Sequence, residues 1–387
     1  MLFSNFCLKK CLKNQNHNLL RLNLSLKKQE ILAHYINHLP SRTITLDHKE
    51  YLFFSGTSYF GIGHNELFRS SLIENMHNYG TIFSASRNNT IQLDIYREVE
   101  EFLAQDNGAE AALTVSSGML AGQLVVRLLE NLPFIYEPSC HPALWKEASL
   151  PNIFENHKDF CSQIADHVRA IAGPCVVCTN GVDPLTCEAY NFDWVMDLDA
   201  DHPIYVIIDD SHVLGLLYPN SLAGNYSKIK SFCPPNVQLI VTASMAKALS
   251  LPAGVILGSQ TLIDKIASLS HFIGASPSVP AYFKSFLQCQ KEYLDQKLLL
   301  SDNIQTFKKQ IAPVLSQFKY LPDYPIFYYP DAYLYEALLQ KDIFISCFAY
   351  PNPGDPPICR IVLSALHTQE DIQSLGKAIA EAVHQEK

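Results

Sequence analysis

The sequence predicts an α/β protein with one large domain, built on a mostly parallel sheet flanked by helices, and a smaller α+β domain. Between residues 90 and 260, short apolar runs rich in β-branched residues alternate with amphipathic stretches, as in strand–helix units around a parallel sheet. Towards the C-terminus, long amphipathic stretches indicate a second, mixed unit. No internal repeat or low-complexity linker separates the two parts, so we expect them to pack tightly.

Short apolar runs mark the candidate strands of the large sheet. They are bounded by turn residues and are the length of ordinary strands. They read AALTVS (111–116), PFIYE (133–137), CVVCT (175–179), PIYVIID (203–209), VQLIVT (237–242) and AGVILGS (253–259).

Periodic apolar positions predict the connecting helices. The stretches at 91–105 and 119–132 each place their large apolar side chains on one face. Near the C-terminus, Thr368 is followed three residues later by Asp371, which is the spacing of a capping box. A helix should therefore begin at this point.

Composition indicates a protein that acts on small molecules. Of the 387 residues, 48% are hydrophobic and 17% charged, which suits a large buried core. The formal net charge is −9 and no long basic stripe is present, so nucleic acid is not expected as a partner. No apolar run reaches the ~18 residues that a membrane-spanning helix needs. We therefore predict no membrane span.

The cysteines and the N-terminal segment favour the reducing cytoplasm. The 11 cysteines are too sparse and irregular for a disulfide framework, and no secretory signal precedes them. Cys175 and Cys178 lie in one predicted strand and point to opposite faces, so we predict no metal site there. The first 29 residues carry six basic residues and no acidic one. We expect a solvated arm or a partner-contacting helix rather than a targeting peptide.

Polar residues at predicted strand ends form the candidate site, because open α/β sheets bind ligands there. Ser117 and Gly118 follow one strand and begin a helix, whose free N–H groups suit a phosphate. Asp209 ends a strongly apolar strand, where a carboxylate is costly unless it meets a cation or a protonated nitrogen. Lys247 follows the next strand, 38 positions later (247 − 209). The phosphate loop that would make Asp209 part of a nucleic-acid motor is absent from the sequence.

Together these residues are the set that pyridoxal phosphate chemistry requires. A lysine holds that cofactor as a Schiff base, a carboxylate keeps its pyridine nitrogen protonated, and an anion site binds its phosphate. The protonated ring then absorbs the electrons of a carbanion at the α-carbon of an amino acid. Pyridoxal 5′-phosphate is therefore the predicted cofactor.

Several motifs follow one another in an order typical of one enzyme family. They are SGTSYFGIG, SASR, AEAALTVSSGMLAG, SCHPALWKEA, VIIDDSHVLG, TASMAKAL and CRIVLSALHTQEDI. On these motifs the chain, from about Tyr51 to its C-terminus, resembles the fold-type-I pyridoxal-phosphate enzymes. Within them it is similar to the α-oxoamine synthases, such as 2-amino-3-ketobutyrate CoA ligase, 8-amino-7-oxononanoate synthase and serine palmitoyltransferase.

The resemblance implies an aspartate-aminotransferase-like fold with a seven-stranded sheet in the large domain. Residues 59–283 would form that cofactor-binding domain, and residues 284–387 the small α+β domain. Residues 1–58 would form an N-terminal arm and part of the small domain.

The resemblance also implies catalytic roles. Lys247 would be the Schiff-base lysine and Asp209 the partner of the pyridine nitrogen. His212 would lie near the phenolic oxygen of the cofactor. His141 would stack on its ring and assist proton transfer.

Other matching residues would bind the phosphate and the substrate. Ser276 matches a position that contributes to the phosphate site of a neighbouring subunit, which implies a homodimer. Arg360 matches the arginine that binds the substrate carboxylate, for which a guanidinium fork is suited. The phosphate would be held by Ser117, Ser244 and the backbone of Gly118 and Met119.

The chain departs from the family around the substrate. The usual glycine-rich GSGGSR motif reads IFSASR (82–87) here, so we expect Phe83 and Ala85 to narrow a close approach of backbone to cofactor or substrate. Pro184 stands where relatives have a serine near the phenolic oxygen, and Thr57 replaces a substrate-holding asparagine. After Lys247 the usual glycine-rich stretch is reduced to SLPAG (250–254).

The main functional hypothesis is an acyl-CoA:amino acid C-acyltransferase that condenses a small amino acid with an acyl thioester, with or without decarboxylation. The segment CFAYPNPGDPPICRIVLSALHT (347–368) is closest in style to the 2-amino-3-ketobutyrate ligases and favours glycine or another small amino acid. Two alternatives stay open. One is an aminotransferase that uses a 2-oxo acid, and the other is a catalytically weak, cofactor-binding dimer.

Overall fold

Two sheets with helices on their faces organise the residues that the computed structural model describes, which are 34–151, 153–198, 200–350 and 354–384. The basic segment 1–29 lies outside these ranges. The strands are β1 (Thr43–Leu46), β2 (Lys49–Phe54), β3 (Ala111–Val115), β4 (Phe134–Tyr136), β5 (Cys175–Asn180), β6 (Ile204–Asp209), β7 (Val237–Ser244), β8 (Gly254–Gly258), β9 (Lys319–Tyr320), β10 (Ile326–Tyr329), β11 (Ile343–Ala349) and β12 (Pro357–Val362). The α-helices are α1 (Glu66–Tyr79), α2 (Asp94–Asn107), α3 (Gly118–Leu128), α4 (His157–Arg169), α5 (Tyr226–Lys230), α6 (Gln260–Ala267), α7 (Ser270–Ile273), α8 (Pro280–Gln288), α9 (Gln290–Gln310), α10 (Tyr333–Leu339) and α11 (Gln369–His384).

The large sheet has the strand order β3-β8-β7-β6-β5-β4. Strands β4 to β7 are parallel, while β8 is antiparallel to both of its neighbours. The strands of this sheet are almost completely buried, as expected of a sheet covered by helices on both faces. The predicted α/β fold with a mostly parallel sheet is confirmed.

The predicted number of seven strands is wrong for the part of the chain that the structure describes, where this sheet has six. The described residues between β4 and α4 do not form a further strand beside the edge strand β4. The described residues there form bends and a short 3₁₀ turn at Pro142–Leu144. Pro138, Pro142 and Pro151 lack the N–H group that a ladder needs, so this stretch does not extend the sheet.

The second sheet joins the two ends of the described chain, in the order β1-β2-β11-β12-β10-β9. Its strands pair antiparallel except for β2 and β11, which are parallel. Strands β1 and β2 thus lie beside strands from the last third of the sequence. The exact domain boundaries at residues 58 and 283 stay predictions.

Helix α11 begins at the predicted capping box. The Thr368 N–H donates to Asp371 Oδ2 (2.9 Å), and the Asp371 N–H donates to Thr368 Oγ1 (3.2 Å). This reciprocal pair satisfies donors that the first turn of a helix leaves free. Ile372, Leu375 and Ile379 then bury one face of the helix. No described helix of the chain is long and apolar enough to cross a membrane.

A buried lysine fixes the loop that follows β6. Lys297 on α9 is only 8% exposed, and its ammonium donates to the carbonyl oxygens of Gly215 (2.6 Å), Tyr218 and Ser221 (2.9 Å). Burial lowers the pKa of Lys297 to about 8, so the group is still mostly charged at neutral pH. The lysine thereby satisfies carbonyls that would otherwise be buried without donors.

We expect Lys297→Met to lower the free energy of unfolding by about 3 kcal/mol, because methionine keeps the apolar stem but donates no hydrogen bond to these carbonyls. Denaturant unfolding measures the change. Lys291 on the same helix is the matched control, since its ammonium is exposed and forms an ion pair with Asp295. Lys291→Met should change stability by less than about 0.5 kcal/mol. Equal effects of the two substitutions would contradict the role assigned to Lys297.

Candidate active site

The candidate site is a cavity of about 190 Å³ at the carboxyl ends of the parallel strands. The register of the sheet places Asn180 of β5 beside Asp209 of β6, and Asp209 beside Thr242 of β7. Polar residues that end neighbouring strands are therefore held side by side. The cavity is lined by Thr57, Ser139, His141, Asn180, Val182, Asp183, Pro184, Leu185, Asp209, Ser211, His212, Lys247, Phe348, Tyr350 and Arg360.

Asp209 is the buried carboxylate of this cavity, with 7% of its surface exposed. Its Oδ1 accepts a hydrogen bond from the Ser211 N–H (2.9 Å), and its Oδ2 lies 3.6 Å from His141 Nδ1. Burial and the nearby Lys247 lower the pKa of His141, although Asp209 opposes them. His141 is therefore in its neutral form at neutral pH.

Asn180 holds the backbone beside His141 in place. Its Oδ1 accepts from the His141 N–H (3.0 Å), and its Nδ2 donates to the Ser139 carbonyl (2.7 Å). The Nδ1 atom of His141 accepts from the Ala143 N–H (3.1 Å). These contacts orient the imidazole towards the carboxylate of Asp209.

Lys247 lies in the tight loop between β7 and β8. The loop is closed by hydrogen bonds between Met245 and the backbone of Leu251 and Ala253, and Ser250 adopts a left-handed conformation (φ 54°). Burial is the main cause that lowers the pKa of Lys247, and the Arg360 guanidinium adds to it while Asp209 opposes it. A larger fraction of the amine is then neutral and nucleophilic than on an exposed lysine.

His212 shares a hydrogen bond with a buried tyrosine. Its Nδ1 lies 2.8 Å from the hydroxyl of Tyr59, and its backbone carbonyl accepts from the hydroxyl of Tyr324 (3.1 Å). Burial lowers the pKa of His212 well below its usual value, and the charges of Lys247 and Arg360 lower it further. The imidazole is therefore neutral.

Arg360 brings a buried cation to the same cavity from the second sheet. It is 7% exposed, and its guanidinium carbon lies 5.2 Å from the centre of the Phe348 ring. Its Nη1 donates to the carbonyl of Pro184, while its Nε is buried with no hydrogen-bond partner among the described residues. This Nε–H group thus lacks the acceptor that a buried donor normally has.

The start of α3 is pressed against the loop that carries Lys247. Ser117 caps the helix by accepting from the Leu120 N–H (3.1 Å). A Cβ atom at Gly118 would lie 2.5 Å from the Cβ of Ser244, and one at Gly254 would lie 2.3 Å from the Ser117 carbonyl oxygen. These glycines allow the backbone segments to touch, which brings the helix N-terminus next to Ser244.

Met119 and Ser276 lie outside the main cavity. Met119, on the first turn of α3, is 50% exposed. Ser276 is exposed and borders a second, very small cavity near Leu120.

The narrowing expected of Phe83 and Ala85 stays a prediction. Neither residue lines the main cavity. The Phe83 ring instead packs beside the buried Tyr96, at 6.2 Å between ring centres, because an apolar ring is more stable against the core than in a polar cavity.

The structure brings together six of the predicted residues in the main cavity, namely Thr57, His141, Asp209, His212, Lys247 and Arg360. Sequence reasoning missed Asn180, although a polar residue that ends an apolar strand is the same signal that identified Asp209. Tyr59 lies in the SGTSYFGIG motif, where nothing in the sequence distinguishes it from a core tyrosine. Phe348 and Tyr350 carry no such signal, since only the pairing of β11 with β12 brings them to the site.

A second buried network lies behind Ser139. Glu137 is fully buried and accepts from the Ser139 N–H (2.9 Å) and the Tyr190 hydroxyl (3.2 Å). His157 Nδ1 lies 3.6 Å from Glu137, and its Nε2 is 3.4 Å from the Cys161 sulfur. Burial alone lowers the pKa of His157, but the contacts with Cys161 and Glu137 outweigh it and raise that pKa to about 9.

A lysine amine and a strand-end carboxylate that face one cavity, beside a helix N-terminus in this fold, define a pyridoxal-phosphate enzyme of fold type I. Comparison with known proteins agrees. The family model for aminotransferases of class I and II matches residues 148–379, which is more than half of the chain. The chain belongs to this aminotransferase class I and II family.

Individual relatives show which members of the family the chain is similar to. The 8-amino-7-oxononanoate synthase of Petrotoga mobilis is 25% identical over 363 residues, which cover 87% of this chain and 91% of that protein. Serine palmitoyltransferase of Bacteriovorax stolpii is 24% identical over 365 residues, covering 90% and 86%. A serine palmitoyltransferase solved with pyridoxal phosphate has a TM-score of 0.77 at 14% identity and 99% coverage of both chains, which shows the fold alone. The predicted resemblance to α-oxoamine synthases is confirmed.

We expect the free energy of unfolding to fall as the pH rises from about 6.5 to above 9, because His157 loses the proton that stabilises its contacts with Cys161 and Glu137. Its folded-state pKa is raised, so this stabilisation is complete below the unfolded pKa and is lost above the folded one. A shift of this size corresponds to roughly 3 kcal/mol. His157→Gln should flatten the pH profile measured by denaturant unfolding, whereas the exposed His77→Gln should not. Two identical profiles for wild type and His157→Gln would refute the pairing.

Proposed function

We propose that the chain is a pyridoxal-phosphate-dependent acyltransferase that condenses a small amino acid with an acyl-CoA thioester and releases CoA. The observation that carries this proposal is that Asp209, Lys247 and Arg360 face one cavity. An amino acid needs a cation for its carboxylate, and the cofactor needs a lysine and an acid. The relatives described above, named as 8-amino-7-oxononanoate synthase and serine palmitoyltransferase, support this reaction class.

The residues present fit the cofactor. Lys247 has the depressed pKa that suits covalent attachment, and Asp209 is a buried acceptor for a pyridinium N–H. His141 and His212 would flank the ring. The phosphate would bind at the start of α3, through Ser117, Ser244 and the backbone of Gly118 and Met119. When bound there, pyridoxal phosphate supplies an electron sink for negative charge at the α-carbon of the amino acid.

The side chains of this chain then bind the substrate and move its proton. Arg360 Nε, buried and without a protein partner among the described residues, would donate to the substrate carboxylate. That contact fixes the amino acid relative to Lys247. The Lys247 Nζ atom, whose pKa is lowered by burial, would accept the α-proton and return it, with His141 as the second proton carrier.

The walls of the cavity favour a small amino acid. Pro184, Leu185, Phe348 and Tyr350 surround a space of about 190 Å³ that the cofactor ring and the substrate would share. Thr57 would contact the substrate where relatives have an asparagine. A long side chain on the amino acid has little room in this space.

The enzyme would be a homodimer of the cytoplasm. Ser276 is exposed on the single chain, where it is accessible to a second copy. It would contribute to the phosphate site of that copy. Sedimentation of the cofactor-loaded protein tests this part of the proposal, which a stable monomer would exclude.

We expect wild-type protein to bind pyridoxal phosphate with a visible absorbance band, and Lys247→Ala to lose the band, because Lys247 supplies the amine that lines the cavity. Lys265→Ala, on an exposed turn of α6, is the matched control and should keep it. Spectra of the purified proteins after incubation with the cofactor provide the measurement. An unchanged band in Lys247→Ala would remove the basis of the proposed function.

We expect free thiol to appear when the loaded enzyme is given glycine, L-alanine or L-serine together with acetyl-CoA or a longer acyl-CoA. A thiol reagent follows the release of CoA. Amino transfer from the same amino acids to a 2-oxo acid, with no CoA release, would replace the proposal by the aminotransferase alternative. A cofactor-loaded protein that performs neither reaction would be the catalytically weak dimer.

A further inference from the structure

Two thiols face each other on the paired strands β11 and β12. The antiparallel register places Cys347 directly opposite Cys359, and their sulfur atoms are 2.8 Å apart. Both are free thiols in the structure. Residues opposite each other in an antiparallel pair have Cα atoms about 4.5 or 5.5 Å apart, within the range that a disulfide spans. A bond between the two sulfurs therefore needs only a small adjustment of the two strands.

The two thiols differ in access and in protonation. Cys359 is 1% exposed, whereas Cys347 is partly exposed. The S–H group of Cys359 donates to the Cys347 sulfur, and this hydrogen bond lowers the pKa of Cys347. Cys347 is thus the thiol that solvent reaches and the better nucleophile of the pair.

The pair borders residues of the candidate active site. Phe348 follows Cys347 on β11, and Arg360 follows Cys359 on β12, and both line the cavity. Because side chains alternate along a strand, the thiols point to the face of the sheet opposite to Arg360. They do not touch the cavity, so any effect on it would pass through the strand backbone.

We propose that Cys347 and Cys359 are a redox modification site, which forms a reversible intrachain disulfide and thereby weakens the binding of an amino-acid carboxylate at Arg360. The second half rests on the role proposed above for Arg360. In a reducing compartment such a disulfide would form transiently, when the concentration of oxidant rises.

The oxidant is a small disulfide such as oxidised glutathione. The Cys347 thiolate attacks one glutathione sulfur, and the glutathione disulfide bond breaks to release one glutathione thiolate, which takes up a proton. Cys359 then loses its proton to solvent and attacks the Cys347 sulfur, which releases the second glutathione. Two protein thiols are oxidised to one disulfide, and one glutathione disulfide is reduced to two thiols.

The expected consequence follows from the position of Arg360. Bond formation shortens the sulfur–sulfur distance from 2.8 Å, which draws β11 and β12 together one residue from the guanidinium. Arg360 also donates to the Pro184 carbonyl on the other side of the cavity, so a shift of β12 changes how its free N–H groups face a substrate. A planar fork is sensitive to such a change of orientation.

Peptide mass spectrometry of the full-length, cofactor-loaded protein tests the modification site. After treatment with oxidised glutathione we expect a Cys347–Cys359 disulfide in wild type, its reversal by dithiothreitol, and its loss in Cys347→Ser. Cys233→Ser is the matched control, because Cys233 is also a partly exposed thiol and donates to the Ile229 carbonyl. It should still form the disulfide. Free thiols or separate glutathione adducts at both positions in wild type would overturn the proposal.

Titration with glycine, L-alanine and L-serine, followed by the visible spectrum of the bound cofactor, tests the coupling to Arg360. For the amino acid that binds the reduced protein most tightly, we expect oxidation to raise the apparent Kd at least threefold, with recovery in dithiothreitol. Cys347→Ser should show no change. An unchanged Kd in oxidised wild type would overturn the coupling. A reduced protein that responds to none of the amino acids would overturn the proposed function, while the disulfide result stands separately.

Discussion

The buried carboxylate of Asp209 is the constraint on which the site depends. A charge at the end of an apolar strand is stable only if donors or cations surround it. The chain supplies the Ser211 N–H and the Lys247 amine. Each of these groups follows a strand that is held in register with β6, or lies in the turn directly after it. The sheet therefore positions the polar side chains of the site, and the loops after the strands add the remaining ones.

Close backbone contacts fix the start of α3 against the loop that carries Lys247. Gly118 and Gly254 let the first turn of α3 touch the loop after β7, so an anion at the helix N-terminus and a group on Lys247 are separated by a fixed distance. This spacing would suit a ligand that carries a phosphate at one end and a carbonyl at the other. Larger residues at either glycine would separate the two halves of its binding site.

The sequence pattern predicted those features that depend on residues close together in the chain. Asp209 and Lys247 were identifiable because they interrupt or follow apolar runs, and the α11 capping box because its two residues lie three positions apart and bond to each other. Three other features depend on contacts between distant segments of the chain. They are the number of strands, the packing of Phe83 and the position of Phe348 in the cavity wall. No periodicity or spacing encodes such contacts, so a single sequence without relatives does not reveal them.

The bond between Arg360 and the Pro184 carbonyl links the second sheet to the loop after β5 of the first. A bound carboxylate that occupies the remaining N–H groups of the guanidinium would add a second tie at the same place. Ligand binding free energy is added to folding free energy when only the native state binds. A bound amino acid would then stabilise the contact between the two sheets. The concentration of that amino acid in the cell would set how much free energy of unfolding this contact adds.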